Sequence, residues 1–404
     1  MLSQPLRKGS QLLRVALVGC GKIADDHAAA IQRVKRGRIV AVCDREELMA
    51  HQLAERYPVE RTFTGLDLML REARPDVVHI TTPPQSHFQI ARQCLEYGCH
   101  VYVEKPFTLD AREAAQLIDL AQSRGLKLAA GHDDQFRHAA RRMRALIQAG
   151  YLGGRPLHME SYYCYDLGYG SYAKALLGDK SHWVRKLPGQ LLHNIISHGI
   201  ARIAEYLQTE NPEIIARGFV SASLRERGET ELIDELRVMI LENERTTAYF
   251  TFSSQMRPSL HQFRVYGPKN GLILDQDNET LIKLHGKRFT SYAEQFIPPV
   301  QFTRQYLGSW CHNLRLFLSR DFHPKSGMKF LIDQFFLSIR ENRPPPIPYR
   351  EILLTARIMD SIFSQIYGVR QQLPQEKPGR LSASTAEGNR LSAGVETSDV
   401  LSTR

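Results

Sequence analysis

Residues 14–44 read RVALVGCGKIADDHAAAIQRVKRGRIVAVCD, the most informative segment of the sequence. A short apolar run at 15–18 leads into a tight turn of the form G-x-G-x-x-A at 19–24. A helix-compatible segment then covers about 25–35, and a second apolar run at 39–43 ends at Asp44. Strand, turn, helix, strand and acid in this order predict the β–α–β unit of a dinucleotide-binding domain.

The residues of this unit suit a dinucleotide. Gly19 allows the sharp turn, and Gly21 has no side chain to hold the backbone away from a pyrophosphate. The amides at the helix start, at Lys22 and Ile23, lie at the positive end of the helix dipole. Asp44 is placed to accept hydrogen bonds from the adenosine ribose, so we expect NAD, with NADP as the alternative. The competing interpretation is a glycine turn in an α/β domain that binds nothing.

Composition sets the outer bounds. The chain has 404 residues, more than one compact core holds, so we expect two domains. Six cysteines form no C-x-x-C pair, which is typical of small buried hydrophobes in a reducing cytoplasm. No run reaches membrane-spanning length, so we expect no membrane segment. The net charge of +10 is scattered along the chain without a recognisable nucleic-acid module, and we expect no nucleic-acid partner.

The order of apolar runs predicts the architecture. Strands and helices alternate to about residue 130, which is typical of a doubly wound parallel sheet. Alternating strand-like runs between 157 and 284 and three long helices then predict an α+β domain on a mostly antiparallel, open sheet. We therefore predict a flexible arm at 1–13, a Rossmann domain at 14–135, a substrate and oligomerisation domain at 136–371, and a disordered tail at 372–404.

Three further patterns carry candidate chemistry. Thr82 and Pro83 form a rigid turn after a strand, with His87 just beyond it, and a simple strand-to-helix turn is the alternative. Lys105, in E-K-P at the next strand end, can bind a substrate hydroxyl, although a surface lysine is the plainer interpretation. A helix predicted at 189–207 places Asn194 and His198 at i and i+4 on one face, where a solvated polar face is the alternative.

Together these patterns resemble the glucose–fructose oxidoreductase/inositol dehydrogenase (Gfo/Idh/MocA) family over residues 14–369. The resemblance implies hydride transfer between NAD(P) and a secondary alcohol or ketone of a sugar, polyol or sugar derivative. It assigns Lys105 to cofactor and substrate and makes Lys105 and His198 the catalytic pair, with no metal. It also implies a cofactor site comprising Gly19, Gly21, Lys22, Ile23, Asp44, Thr82, Pro83, His87, Glu104 and Lys105.

The sequence departs from the family pattern twice. Asn194 stands where an aspartate is common, so His198 lacks that carboxylate partner. Gln135 stands where an arginine is common, and both Asn194 and Gln135 become candidate substrate-binding residues. Two other functions stay open: an epimerase or hydrolase that retains NAD and oxidises transiently, or a non-catalytic dinucleotide- or sugar-binding protein. The family also implies a cytoplasmic homo-oligomer, a dimer or tetramer, joined through the C-terminal sheet.

Overall fold

A computed structural model describes residues 12–166, 179–243, 245–286 and 292–372, with side chains to 368. Its first sheet has six parallel strands in the order β3-β2-β1-β4-β5-β6. The strands are β1 (Leu13–Val18), β2 (Gly37–Cys43), β3 (Thr62–Phe63), β4 (Val77–Ile80), β5 (His100–Val103) and β6 (Leu128–Ala130). The helices between them are α1 (Lys22–Val34), α2 (Glu47–Arg56), α3 (Leu66–Ala73), α4 (His87–Glu96) and α5 (Ala111–Ser123).

The second sheet has seven strands in the order β13-β12-β11-β7-β10-β9-β8. Every neighbouring pair is antiparallel except β7 and β10, which run parallel. The strands are β7 (His158–Asp166), β8 (Glu213–Phe219), β9 (Glu235–Glu242), β10 (Thr246–Ser253), β11 (Gln255–Tyr266), β12 (Asn270–Asp275) and β13 (Thr280–His285). These two sheets confirm the predicted fold class.

Helices cover the second sheet and return to the first. They are α6 (His138–Gln148), α7 (Gln190–Ile195), α8 (Ser197–Ala204), α9 (Ala222–Glu226), α10 (Ala293–Leu318), α11 (Ser326–Arg340) and α12 (Tyr349–Gln372). Although it follows the second sheet in sequence, α11 packs in the first hydrophobic core through Leu331 and Phe335. Helix α12 contributes Ile352 to the first core and Leu354 to the second. The two cores are thus joined at a shared seam.

Helix α5 is capped by Asp110, whose carboxylate accepts from the Glu113 amide at 2.8 Å. One local prediction differs from the structure. The helix predicted at 189–207 is two short helices, α7 and α8, which meet at Ile196. Residues 1–11 and 373–404 lie outside the described residues, and the predicted domain boundaries stay predictions. Among the described residues, no helix is both long and apolar enough to cross a membrane.

Candidate active site

The glycine turn is built tightly on one side and open on the other. Gly19 has φ of 92°, and a Cβ there would lie 2.7 Å from the backbone nitrogen of Thr82. Gly21 is the N-cap of α1, and a Cβ there would meet nothing within 4 Å. No side chain caps the amides of the first turn, where Lys22 and Ile23 lie. These uncapped amides beside a bare backbone fit a pyrophosphate group.

Asp44 ends β2 next to this turn. Its Oδ2 accepts from the Cys20 amide at 2.6 Å, and its Oδ1 accepts from the Glu46 amide at 3.0 Å. The carboxylate therefore fixes the position of the glycine turn. It also lies where the ribose of a bound dinucleotide is expected at the edge of a doubly wound sheet.

His87 joins the ends of β4 and β5. Its Nε2 lies 2.8 Å from the carbonyl oxygen of Thr82, and its Nδ1 lies 3.0 Å from that of Pro106. The hydroxyl of Ser86 donates to Thr82 Oγ1 at 2.7 Å. The buried ring thus couples the predicted Thr82–Pro83 turn to the E-K-P turn. Cofactor binding by Thr82, Pro83 and His87 stays a prediction, and for the His87 side chain the contacts are within the protein.

Glu104 is buried at the end of β5, and groups of the first domain contact both of its carboxylate oxygens. Its Oε1 lies 2.8 Å from His27 Nε2, and its Oε2 accepts from the Lys105 amide at 3.0 Å. His27 Nδ1 in turn lies 2.9 Å from Nδ1 of His79, whose ring stacks on Tyr102. Burial opposes ionisation, but the contact with His27 and the charge of Lys105 bring the pKa of Glu104 down to about 2. This polar network was not predicted from the sequence, although His79 stands out in the otherwise apolar strand β4.

Lys105 reaches across to the second domain. Its Nζ donates to the carbonyl oxygen of Asn194 on α7 at 3.0 Å. Burial lowers the pKa of Lys105, and the charges of Glu104, Asp133 and Asp134 oppose that shift. The predicted lysine therefore sits among carboxylates between the two domains, and not on the open surface.

His198 faces a carboxylate that the sequence reasoning did not anticipate. Its Nδ1 lies 3.8 Å from Asp134 Oδ2, beyond hydrogen-bond distance. The same oxygen accepts from the Tyr163 hydroxyl at 3.0 Å and from Arg202 at 3.3 Å. Burial lowers the pKa of His198 to about 4, while Asp134 acts in the opposite direction. Burial opposes the ionisation of Asp134, but the charge that His198 carries at low pH and the charge of Arg202 lower the pKa of Asp134. His198 is thus neutral near pH 7, with an anion behind it.

Asp133 is the second missed acid. Burial and the neighbouring charges of Asp134 and Glu104 raise the pKa of Asp133 to about 7, although Lys325 and Lys105 oppose the shift. Residues 131–135 read GHDDQ directly after β6. An acid pair at the carboxyl end of a parallel strand was the signal that could have found both residues.

The two predicted substrate residues lie apart. The Gln135 amide nitrogen donates to Ala201 O at 3.2 Å and to Glu205 Oε2 at 3.0 Å, so its polar contacts lie beside α8 and Arg144. Asn194 lies on α7 and its carbonyl meets Lys105, whereas His198 is on α8, beyond Ile196. Ile196 itself keeps helical dihedral angles, so the shared face expected for Asn194 and His198 stays a prediction. Their substrate contacts stay predictions.

One group of side chains has the donors of a metal site. Ligand atoms of Asp133, Asp134 and His198 lie within 4.8 Å of one another. Arg202 already contacts Asp134, and the charge of Lys105 acts on both acids and on His198. Positive charge from the protein thus balances these carboxylates, which fits proton handling better than cation binding.

The comparisons agree with this geometry. A model of an oxidoreductase family with an NAD-binding Rossmann fold, Gfo/Idh/MocA, matches residues 13–132. The match covers the first domain of this chain. It is 34% identical over 145 residues to D-glucoside 3-dehydrogenase of Escherichia coli K12, or 36% of this chain and 41% of that protein. It is 34% identical over 149 residues to UDP-N-acetylglucosamine 3-dehydrogenase of Acidithiobacillus ferrooxidans. That alignment covers 37% of this chain and 44% of that protein.

These sequence matches span about two fifths of the relatives' length. Solved structures extend the likeness of fold to both domains of this chain. WlbA dehydrogenase of Bordetella pertussis, in complex with NADH and UDP-GlcNAcA, superposes with a TM-score of 0.71 at 16% identity, covering 91% of this chain and 98% of that one. UDP-N-acetylglucosamine 3-dehydrogenase GnnA of Acidithiobacillus ferrooxidans superposes with a TM-score of 0.66 at 21% identity. The superposition covers 89% of this chain and 99% of that one.

Proposed function

We propose that the protein is an NAD(P)-dependent oxidoreductase that acts on a secondary alcohol or ketone of a sugar or sugar derivative. The observation that carries the proposal is the meeting of Lys105 and the His198–Asp134 pair beside an NAD-binding domain. Lys105 comes from the first sheet and touches α7 at Asn194. A substrate hydroxyl between the domains would therefore meet an ammonium group and a neutral imidazole together.

The proton path follows from the electrostatics. His198 has Nδ1 towards Asp134, which leaves Nε2 to take the proton of the substrate hydroxyl. A bound nicotinamide supplies the hydride acceptor. The Lys105 ammonium stabilises the negative charge that develops on the substrate oxygen, an interaction that strengthens in the transition state. Asp134 stabilises the imidazolium that His198 becomes, and takes the place of the carboxylate lost at Asn194.

The test is a substrate screen followed by two variants. Glucosides, UDP-sugars and inositols are offered with NAD and NADP, and the absorbance of reduced cofactor is followed. On an identified substrate, Lys105→Ala and His198→Ala should each lower kcat by roughly 10²-fold, with NAD affinity much less affected. Exposed Lys269→Ala is the matched control. Near-normal turnover in both variants would place the chemistry elsewhere. Cofactor retained through purification, with no net reduction, would favour transient oxidation instead.

We further propose a cytoplasmic homo-oligomer joined through the second sheet. Support comes from exposed apolar side chains on the outer face of β8 and β10, namely Ile215, Phe219 and Tyr249. All six cysteines are free thiols, and five are buried, which suits a reducing compartment. Tyr249→Glu should lower the oligomer mass in sedimentation if this sheet is the interface.

A further inference from the structure

Helix α10 packs on the protein through its polar side and exposes its apolar side to solvent. Its polar side faces the protein: Gln305 accepts from the Lys283 amide at 2.7 Å and donates to the Lys283 carbonyl at 3.1 Å. Asn313 donates to the Asn278 carbonyl at 3.1 Å, and Ser309 is 2% exposed. These contacts fix the helix against the edge strand β13, so its opposite side must face outward.

That outward side is apolar and regular. We call it the outer stripe, and its members are separated alternately by four and three residues along the whole helix. The outer stripe comprises Phe296, Val300, Thr303, Leu307, Trp310, Leu314 and Phe317. Its large side chains are widely exposed, for example 71% for Phe296, 61% for Trp310 and 65% for Phe317. A repeat of seven with two apolar positions is the pattern of a helix that packs along a partner helix.

We propose that the outer stripe binds the same helix of a second copy of this chain, antiparallel and about a two-fold axis near Leu307. The intervals between stripe residues are nearly the same when counted from either end of the helix. Two antiparallel copies can therefore be placed so that every stripe residue faces one of the partner. Phe296 then lies opposite Phe317, Val300 opposite Leu314, and the small Thr303 opposite the large Trp310. A surface that complements itself in this way suits an isologous contact.

The area is sufficient for a stable contact. Tyr306 and Leu318 flank the outer stripe and are 56% and 73% exposed. At about 200 Å² for each large side chain, roughly six-tenths exposed, the eight large apolar side chains offer roughly 900 Å². A standard interface buries about 800 Å² per partner, and monomers rarely expose so large an apolar patch.

A helix partner fits better than a lipid surface. Helices that lie on membranes carry lysine and arginine on the face opposite the apolar one. On α10 the side chains directly opposite the outer stripe are the uncharged Gln305, Ser309 and Asn313. Gln305 and Asn313 hold this side of the helix against the β12–β13 hairpin. The occupant is therefore expected to be a second protein helix, and lipid binding becomes an outcome of the test.

The first measurement is mass by sedimentation velocity. Leu307→Glu and Trp310→Glu should each halve the mass of the wild-type oligomer, because each places charge at the centre of the stripe. Leu48→Glu, a matched change at a side chain 68% exposed on α2, should leave the mass unchanged. An unchanged mass in both stripe variants would overturn the proposal, as would a wild-type protein that is monomeric at every concentration.

The second measurement needs no disruptive change. Trp183 and Trp310 are the two tryptophans, so Trp183→Phe leaves Trp310 as the only emitter. Its emission should be that of a buried indole at high concentration and shift to the red on dilution. A buried emission in a protein that sediments as a monomer would mean that the same chain, such as residues 373–404, covers the stripe. Emission that changes only with anionic vesicles would mean lipid binding, and either result would overturn the proposal.

Discussion

Asp44 couples cofactor choice to the shape of the glycine turn, because one carboxylate oxygen holds the Cys20 amide at 2.6 Å. A second negative charge from a 2′-phosphate would be repelled there, so NAD should bind more tightly than NADP. Asp44→Ala should weaken the binding of NAD more than that of NADP. Asp44→Asn removes the charge but keeps the size of the side chain, so it tests the effect of the charge alone. Calorimetric titration of both cofactors measures this, with Arg45→Ala as the control for a phosphate-binding arginine. Equal or tighter NADP binding by the unaltered protein would contradict it.

The pKa of His198 determines the pH below which activity is lost. The imidazole must be neutral to accept a proton, and burial lowers its pKa to about 4, so oxidation should persist well below the usual range of histidine. Asp134 favours the charged imidazole, so Asp134→Asn should lower the pKa of His198 further and move the acidic limb to lower pH. Turnover should also fall roughly tenfold or more, because the imidazolium loses its counter-charge.

The pH–rate profile checks this role of Asp134 directly. A merely structural role would lower turnover at every pH and leave the limb in place. Tyr163→Phe is the matched control, because it removes one hydrogen bond to Asp134 and keeps the carboxylate. A limb that moves to higher pH in Asp134→Asn would contradict the proposed pairing.

Single residues also show how far the site could be predicted from sequence. Gly19, Gly21 and Asp44 lie within one unit of about thirty residues, so their spacing alone places them together. Asp134 meets His198 from 64 residues away in sequence, and no local pattern encodes such a pair. Gln135 follows the two acids, yet its amide contacts lie on the other side of the turn, beside Glu205. Long-range pairing and the direction of a side chain are what the sequence left open.

Among the elements, the buried parallel strands were predictable because each is a short apolar run. Residues 62–63 escaped prediction since β3 has two residues, too few for any period. The start of helix α10 could not be predicted from the sequence, because Pro298 and Pro299 disfavour a helix. The structure carries the helix through both prolines from Ala293, with the Thr303 hydroxyl donating to the Pro299 carbonyl at 3.0 Å. The exposure of the outer stripe could not be predicted either, because the periodicity of a helix does not show which of its sides faces the protein.

In the whole molecule, the two cores meet along α12, and Glu351 lies in its first turn between them. Burial and the charge of Glu205 raise the pKa of Glu351 to about 8, although Arg144 opposes the shift. In the unfolded chain this carboxyl ionises near its ordinary pKa. An acid whose folded pKa is raised contributes stability at low pH that is lost as the pH rises towards the folded value. The seam should therefore weaken between about pH 4.5 and pH 8.

Glu351→Gln removes this ionisation and keeps the shape of the side chain. At about pH 9 the variant should melt about 2 °C or more above the wild type, and near pH 4 the two should melt together. Calorimetry across this pH range gives the comparison, with exposed Glu341→Gln as the control that should show no such divergence. A variant less stable than the wild type at about pH 9 would mean that attraction to Arg144 outweighs burial and repulsion from Glu205. The carboxylate would then hold the two cores together, because its charge would be the stabilising form at the seam.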